Sequence, residues 1–152
     1  MKPLLLQTWK IYLEKTFDPE ISWHLWGDWQ DKEIRIQRGV AAKACLEYIK
    51  QPDNGRRNWE IVKDRKALED ILDLFEDVGF FMKGHQLSDE MAQHYFGHWI
   101  IIYWMGGASD YVSNRRKGIE KSTWAHVEHA FERIWLQEIL HCSSCSDSGL
   151  ST

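Results

Sequence analysis

The chain has 152 residues, 19 basic against 23 acidic side chains and a net charge of −4. A domain of this length can bury roughly two-thirds of its unfolded surface, so it needs no metal or disulfide scaffold to be stable. The even charge balance argues against a polyanion as partner for the whole surface, and three cysteines make no disulfide framework, which points to a reducing compartment.

Residues 3–16 form the first expected helix, with Pro3 suited to its opening turn and Leu5, Leu6, Trp9 and Leu13 as its stripe. Asp18-Pro19-Glu20 starts a short helical segment, Ile21–Trp29, with Trp23, Trp26 and Trp29 three apart. A longer helix over 31–50 carries Ile34, Ala41, Cys45, Tyr48 and Ile49, and Pro52-Asp53-Asn54-Gly55 is a loop by its turn chemistry. Asn58 caps a helix to about Lys83, with Leu68, Ile71, Leu72, Phe75, Val78, Gly79 and Met82 at helical spacing. Ser88-Asp89-Glu90 caps the next, 89–105, which is apolar almost all round from Tyr95 onward and should be the most buried element. Gly106-Gly107 ends it, a weaker helix covers 108–117, and Ser122 or Thr123 opens the last, to about His141.

These elements predict an all-α, single-domain bundle of five to seven helices over 1–142. It is built on a central antiparallel pair (about 59–83 and 89–105) and followed by a polar tail, 143–152. No period-2 run is long enough for a strand. Nine tryptophans are several times ordinary usage and supply large buried areas together with indole N–H groups that need partners. A glycine inside a helix costs about 1 kcal/mol against alanine, so Gly79 and Gly97 within the two best helices imply a close backbone crossing of that pair.

Phe75-Glu76-Asp77-Val78-Gly79, then Lys83-Gly84 and Leu87, then Tyr95-Phe96-Gly97-His98-Trp99-Ile100 and Tyr103-Trp104 resemble the core pattern of a family of small bacterial helical proteins. That family is a domain of unknown function. The resemblance spans about residues 65–105 and implies a helical fold and a bacterial or phage source, but no catalytic residues. Within the pattern Glu76, Gly79, Gly97, Trp99 and Trp104 are expected to serve structure or interaction. Glu76, at the border of the buried stripe, needs donors, with an indole N–H or an arginine from another helix as the obvious source.

Three constellations could carry chemistry. His94 and His98 are one turn apart, and His126 and His129 with Glu128 and Glu132 form a second cluster, so a metal site between two helices is geometrically open. Hydrogen-bonded or solvated histidines are the favoured reading. His141-Cys142-Ser143-Ser144-Cys145 holds half a zinc or dithiol pattern without its other half. Arg115-Arg116-Lys117, near Tyr111 and Trp124, could meet an anionic partner, although interspersed acids favour a solvated face.

The apolar run Leu4-Leu5-Leu6 is too short for a signal peptide, and Trp99–Met105 falls far below the ~20 residues a membrane helix needs. The sequence therefore predicts a cytoplasmic protein with no membrane partner and no cofactor, acting through protein contacts as a regulatory or accessory module and as a candidate homo-oligomer. A metalloenzyme using the four histidines is the first alternative and a nucleic-acid effector the second. One or two tryptophans left at the surface would suffice for an interface.

Overall fold

A computed structural model describes residues 19–117 and 123–147, all helices and connections, with no strand among the described residues. The helix expected over 3–16 lies outside them. In chain order come α1 (Pro19–Gln30), α2 (Lys32–Lys50), a 3-10 turn (Trp59–Ile61) and α3 (Ala67–Lys83). A nearly continuous helical path follows: α4 (Asp89–Ala92), a π turn (Gln93–Gly97), α5 (His98–Tyr103), a second π turn (Trp104–Ala108) and α6 (Ser109–Arg116). The last element is α7 (Ala125–Asp147).

Local chemistry accounts for most boundaries. The Asp31 and Ser88 side chains cap α2 and α4 by accepting the N–H of Glu33 and Met91. Gly107 takes φ +115, which ends the path from α5 as the Gly-Gly pair predicts. Two boundaries differ from expectation. Asn58 caps only the 3-10 turn, because the chain then leaves the helical region at Val62 and takes φ +60 at Asp64 before α3 begins. α7 continues through Ser143–Asp147, into the stretch read as tail. Adding residues to a formed helix needs no new nucleus, and neither glycine nor proline interrupts that stretch.

α3 is the hub, with Leu68, Ile71, Leu72, Phe75 and Val78 almost wholly buried. It packs chiefly on α7 and α2, whereas the 89–105 segment, expected to be the most buried, leaves Ile102 and Met105 exposed. That segment lies antiparallel to α7: Gln93 meets Glu138, a Cβ on Gly97 would meet Ile134, and Trp104 stacks on Phe131.

The glycine notches are therefore real in effect but serve a different neighbour. A Cβ at residue 79 would lie 2.5 Å from the His126 carbonyl carbon and closer still to its oxygen, so only glycine admits the α7 backbone there. At Gly97 the nearest atoms are side-chain carbons of Gln93 and Ile134, at 3.2 and 3.3 Å. Both glycines face α7 and not each other. The period of the sequence marks which face is packed but carries nothing about which helix covers it.

The tryptophans act mainly as internal joints. Trp99 lies 5.6 Å from Trp29, and the Arg38 guanidinium sits over both rings at 4.5 and 4.1 Å. Trp59 stacks on Tyr48 at 4.5 Å and donates its indole N–H to Gly107. Trp23 and Trp135 stand at the surface.

Candidate functional site

The Phe75–Gly79 stretch forms one half of a clasp on the start of α7. Trp124 precedes that helix with φ +54, so no side chain at the usual capping position closes it. Instead Glu76 reaches across from α3. Its Oε2 accepts the backbone N–H groups of His126 and Val127, each at 2.9 Å, and its Oε1 lies 2.5 Å from His126 Nδ1. These two backbone donors are the ones an N-cap side chain would satisfy, and a carboxylate is also favoured by the positive end of the helix dipole. Gly79, one turn on, gives the room that lets α7 come this close.

Two further groups hold the same turn. Asp73, one turn before Glu76, accepts the Trp124 indole N–H at 2.8 Å. Arg116 at the end of α6 donates to the carbonyls of Thr123 and Trp124 and to Glu128, each at 2.9 Å. The requirement for donors at Glu76 was legible in the sequence. Their identity was not, since they are backbone amides 50 and 51 positions downstream and an imidazole, with no indole or arginine among them. Ser122, the other expected cap, lies outside the described residues, and Thr123 precedes the helix by two positions.

The four histidines do not converge. Among the described residues no group of three or more His, Cys, Asp or Glu side chains is placed to hold a metal. His94 and His98 are exposed and lie edge-on to Tyr95 and Trp99, while His126 is committed to Glu76. The basic triplet is dispersed as well: Arg115 pairs with Glu69 at 3.5 Å, Arg116 belongs to the clasp, and only Lys117 is left without an ion pair among the described residues. Of the cysteines, burial pushes the Cys45 thiol up to about 11, and Cys142 is exposed. No helix among the described residues is long and apolar enough to cross a membrane.

The feature that sequence periodicity missed is the outer face of α7. Val127, Ala130 and Ile134 point inward and are buried. At about 100° per residue the same arc continues through Gln137 and Glu138, which are polar. The apolar residues of that second half point outward instead: Trp135, Leu136, Ile139 and Leu140 are 40, 45, 47 and 61% exposed. The polarity of the helix thus inverts along its length, which a single stripe drawn over the whole helix averages away. No family model, no curated protein and no solved structure matches this chain.

Proposed function

We propose that this protein is a non-enzymatic interaction module that docks an amphipathic helix of a partner protein on the outer face of α7. The observation that carries the reading is the inverted polarity of the helix. An apolar row at positions 135, 136, 139 and 140 is the spacing by which one helix engages another, and within the fold Trp135 of that row also stacks on Phe131.

The size of the row argues for that occupant over a second copy. Four side chains about half exposed offer on the order of 400 Å² of apolar surface, against the roughly 800 Å² per partner of a stable two-fold interface. Glu132 lies one turn before the row on the same outer arc, so the matching helix carries lysine or arginine at its flank. The bacterial helical family suggested by the Phe-Glu-Asp-Val-Gly and Phe-Gly-His-Trp-Ile patterns belongs to the same proposal and adds no catalytic residue to it.

The test is fluorescence anisotropy with a labelled basic amphipathic peptide presenting leucines at i, i+3, i+4 and i+7, beside the same composition scrambled. The expected result is saturable binding of the patterned peptide alone, lost in Leu136→Glu/Leu140→Glu with an unchanged melting temperature. Equal binding of both peptides overturns the reading. So does sedimentation showing that the wild type self-associates through this face, or a chain lacking residues 1–18 that binds the peptide where the intact chain does not.

A further inference from the structure

We propose that the cleft between the α2–α3 connection and α6 binds a small zwitterion whose ammonium and carboxylate stand about 5 Å apart, of the span of a γ-amino acid or a short dipeptide. This inference is independent of the α7 surface. It begins from the exposed polar face of α6, where Asp110, Ser113, Asn114 and Lys117 recur at i, i+3, i+4 and i+7 on the helix and its cap while Tyr111 and Val112 on the other arc are buried. Here the opposite wall stands off and leaves a cavity of about 320 Å³, lined on its far side by Tyr48, Asp53 and Arg57.

The cavity is preformed. Tyr48, which lines it, is held from behind by a lock of three parts: Tyr48 stacks on Trp59, Trp59 donates to the Gly107 carbonyl, and a Cβ on Gly107 would lie 2.5 Å from the Tyr48 ring. That lock sets where α6 starts. The wall formed by the 51–58 loop is fastened by Gln51, which bonds both the N–H and the carbonyl of Asn58, and by Arg57, which donates to the carbonyls of Ile49 and Gln51. Tyr48 donates to Asp110 at 2.6 Å and fixes that carboxylate. Burial and this hydrogen bond push the Tyr48 hydroxyl up to about 12, so it remains a donor throughout the physiological range.

Charge is distributed along the cleft as two poles. Asp110, Asp53 and Arg57 all act on the Tyr48 hydroxyl and together bring one negative charge to that end. Lys117 brings one positive charge to the other, and neither it nor Asp53 has an ion-pair partner among the described residues. The sum is zero, which favours a dipolar ligand over a simple anion or cation. Seven helical residues separate Asp110 from Lys117, about 10 Å along the axis, and two charge-assisted contacts of about 2.8 Å made at those two levels leave roughly 5 Å between the charged groups of the ligand. An α-amino acid, with one carbon between them, is shorter than that.

The experiment is an amide-proton NMR titration of the full chain with glycine, β-alanine, 4-aminobutanoate and 6-aminohexanoate, with butylamine and butanoate as single-charge probes. The expected outcome is saturable shifts confined to 51–57 and 110–117, strongest for 4-aminobutanoate and at least about tenfold weaker for glycine and both single-charge probes. Asp53→Asn and Lys117→Met, both exposed side chains, should each weaken binding about tenfold with the melting temperature unchanged. Absence of saturable shifts at millimolar concentrations, an equal response to butanoate, or full binding in both variants overturns the assignment.

Discussion

Glu76→Ala tests the clasp most directly. The substitution removes the side-chain acceptor that, among the described residues, faces the His126 and Val127 amides at the start of α7, together with a contact to His126 Nδ1. Loss of an N-cap, which leaves these donors without a partner in a site three-quarters shielded from water, costs about 1–2 kcal/mol, and loss of a charge at a partly buried helix start about 1 kcal/mol. The total, about 2–3 kcal/mol, corresponds to a fall in melting temperature of roughly 4–12 °C for a chain of this size. Glu76→Gln keeps an acceptor but no charge and should lose about half as much. Circular dichroism melts and urea titrations at pH 7 read the effect, with Glu132→Ala, an exposed residue on the outer arc of α7, as the control. If Glu76→Ala melts within about 2 °C of the wild type, the carboxylate does not hold α7 and the reasoning fails.

The two glycines should separate sharply. Gly79→Ala forces the α7 backbone away and should destabilise by 2 kcal/mol or more, whereas Gly97→Ala meets only side-chain carbons and should stay within about 1 kcal/mol of neutral, as urea midpoints will show. In a Cys145→Ser background, a thiol reagent at pH 8 should modify Cys142 at once and Cys45 only on unfolding, because burial holds the Cys45 thiol protonated up to about 11. Burial also holds the hydroxyls of Tyr48 and Tyr103 up to about 12, from an ordinary 10, and Cys45 from 9. The folded state therefore keeps protons that the unfolded chain releases. Stability from these groups is fully present below pH 9 and falls from about pH 9 to 12, so melting temperature should decline across that window and be flat from pH 7 to 8.5.

The parts of this fold that local rules govern were readable in the sequence. Ser88 and Gly107 act on backbone groups within a few positions of themselves, so their chemistry fixes the start of α4 and the break after α5 wherever the rest of the chain lies, and Asp31 does the same at the start of α2. The clasp was only half readable. A carboxylate beside an apolar stripe must find donors, which the sequence states, but the donors are backbone amides some fifty residues away, and amides look alike in every sequence. The same limit misassigned the glycine notches: composition marks Gly79 as a place of close approach, while the identity of the approaching helix is a property of topology alone.

The inversion of α7 was hidden for a different reason, and it bears on role. Had the helix been selected only for packing, its inner arc would stay apolar past Ile134, yet that arc changes to Gln137 and Glu138, and Glu138 accepts a hydrogen bond from Gln93. Glu138 is polar there because its neighbour Gln93 is polar, whereas the Gln137 Oε1 is buried with no hydrogen-bond partner among the described residues. Apolar residues at the surface are individually unremarkable, but four on one arc of one helix at i, i+1, i+4 and i+5 make a contiguous face. Leu136→Glu/Leu140→Glu therefore isolates that face from the fold: stability unchanged with peptide binding lost places the row in recognition, and a fall of several degrees places it in the core.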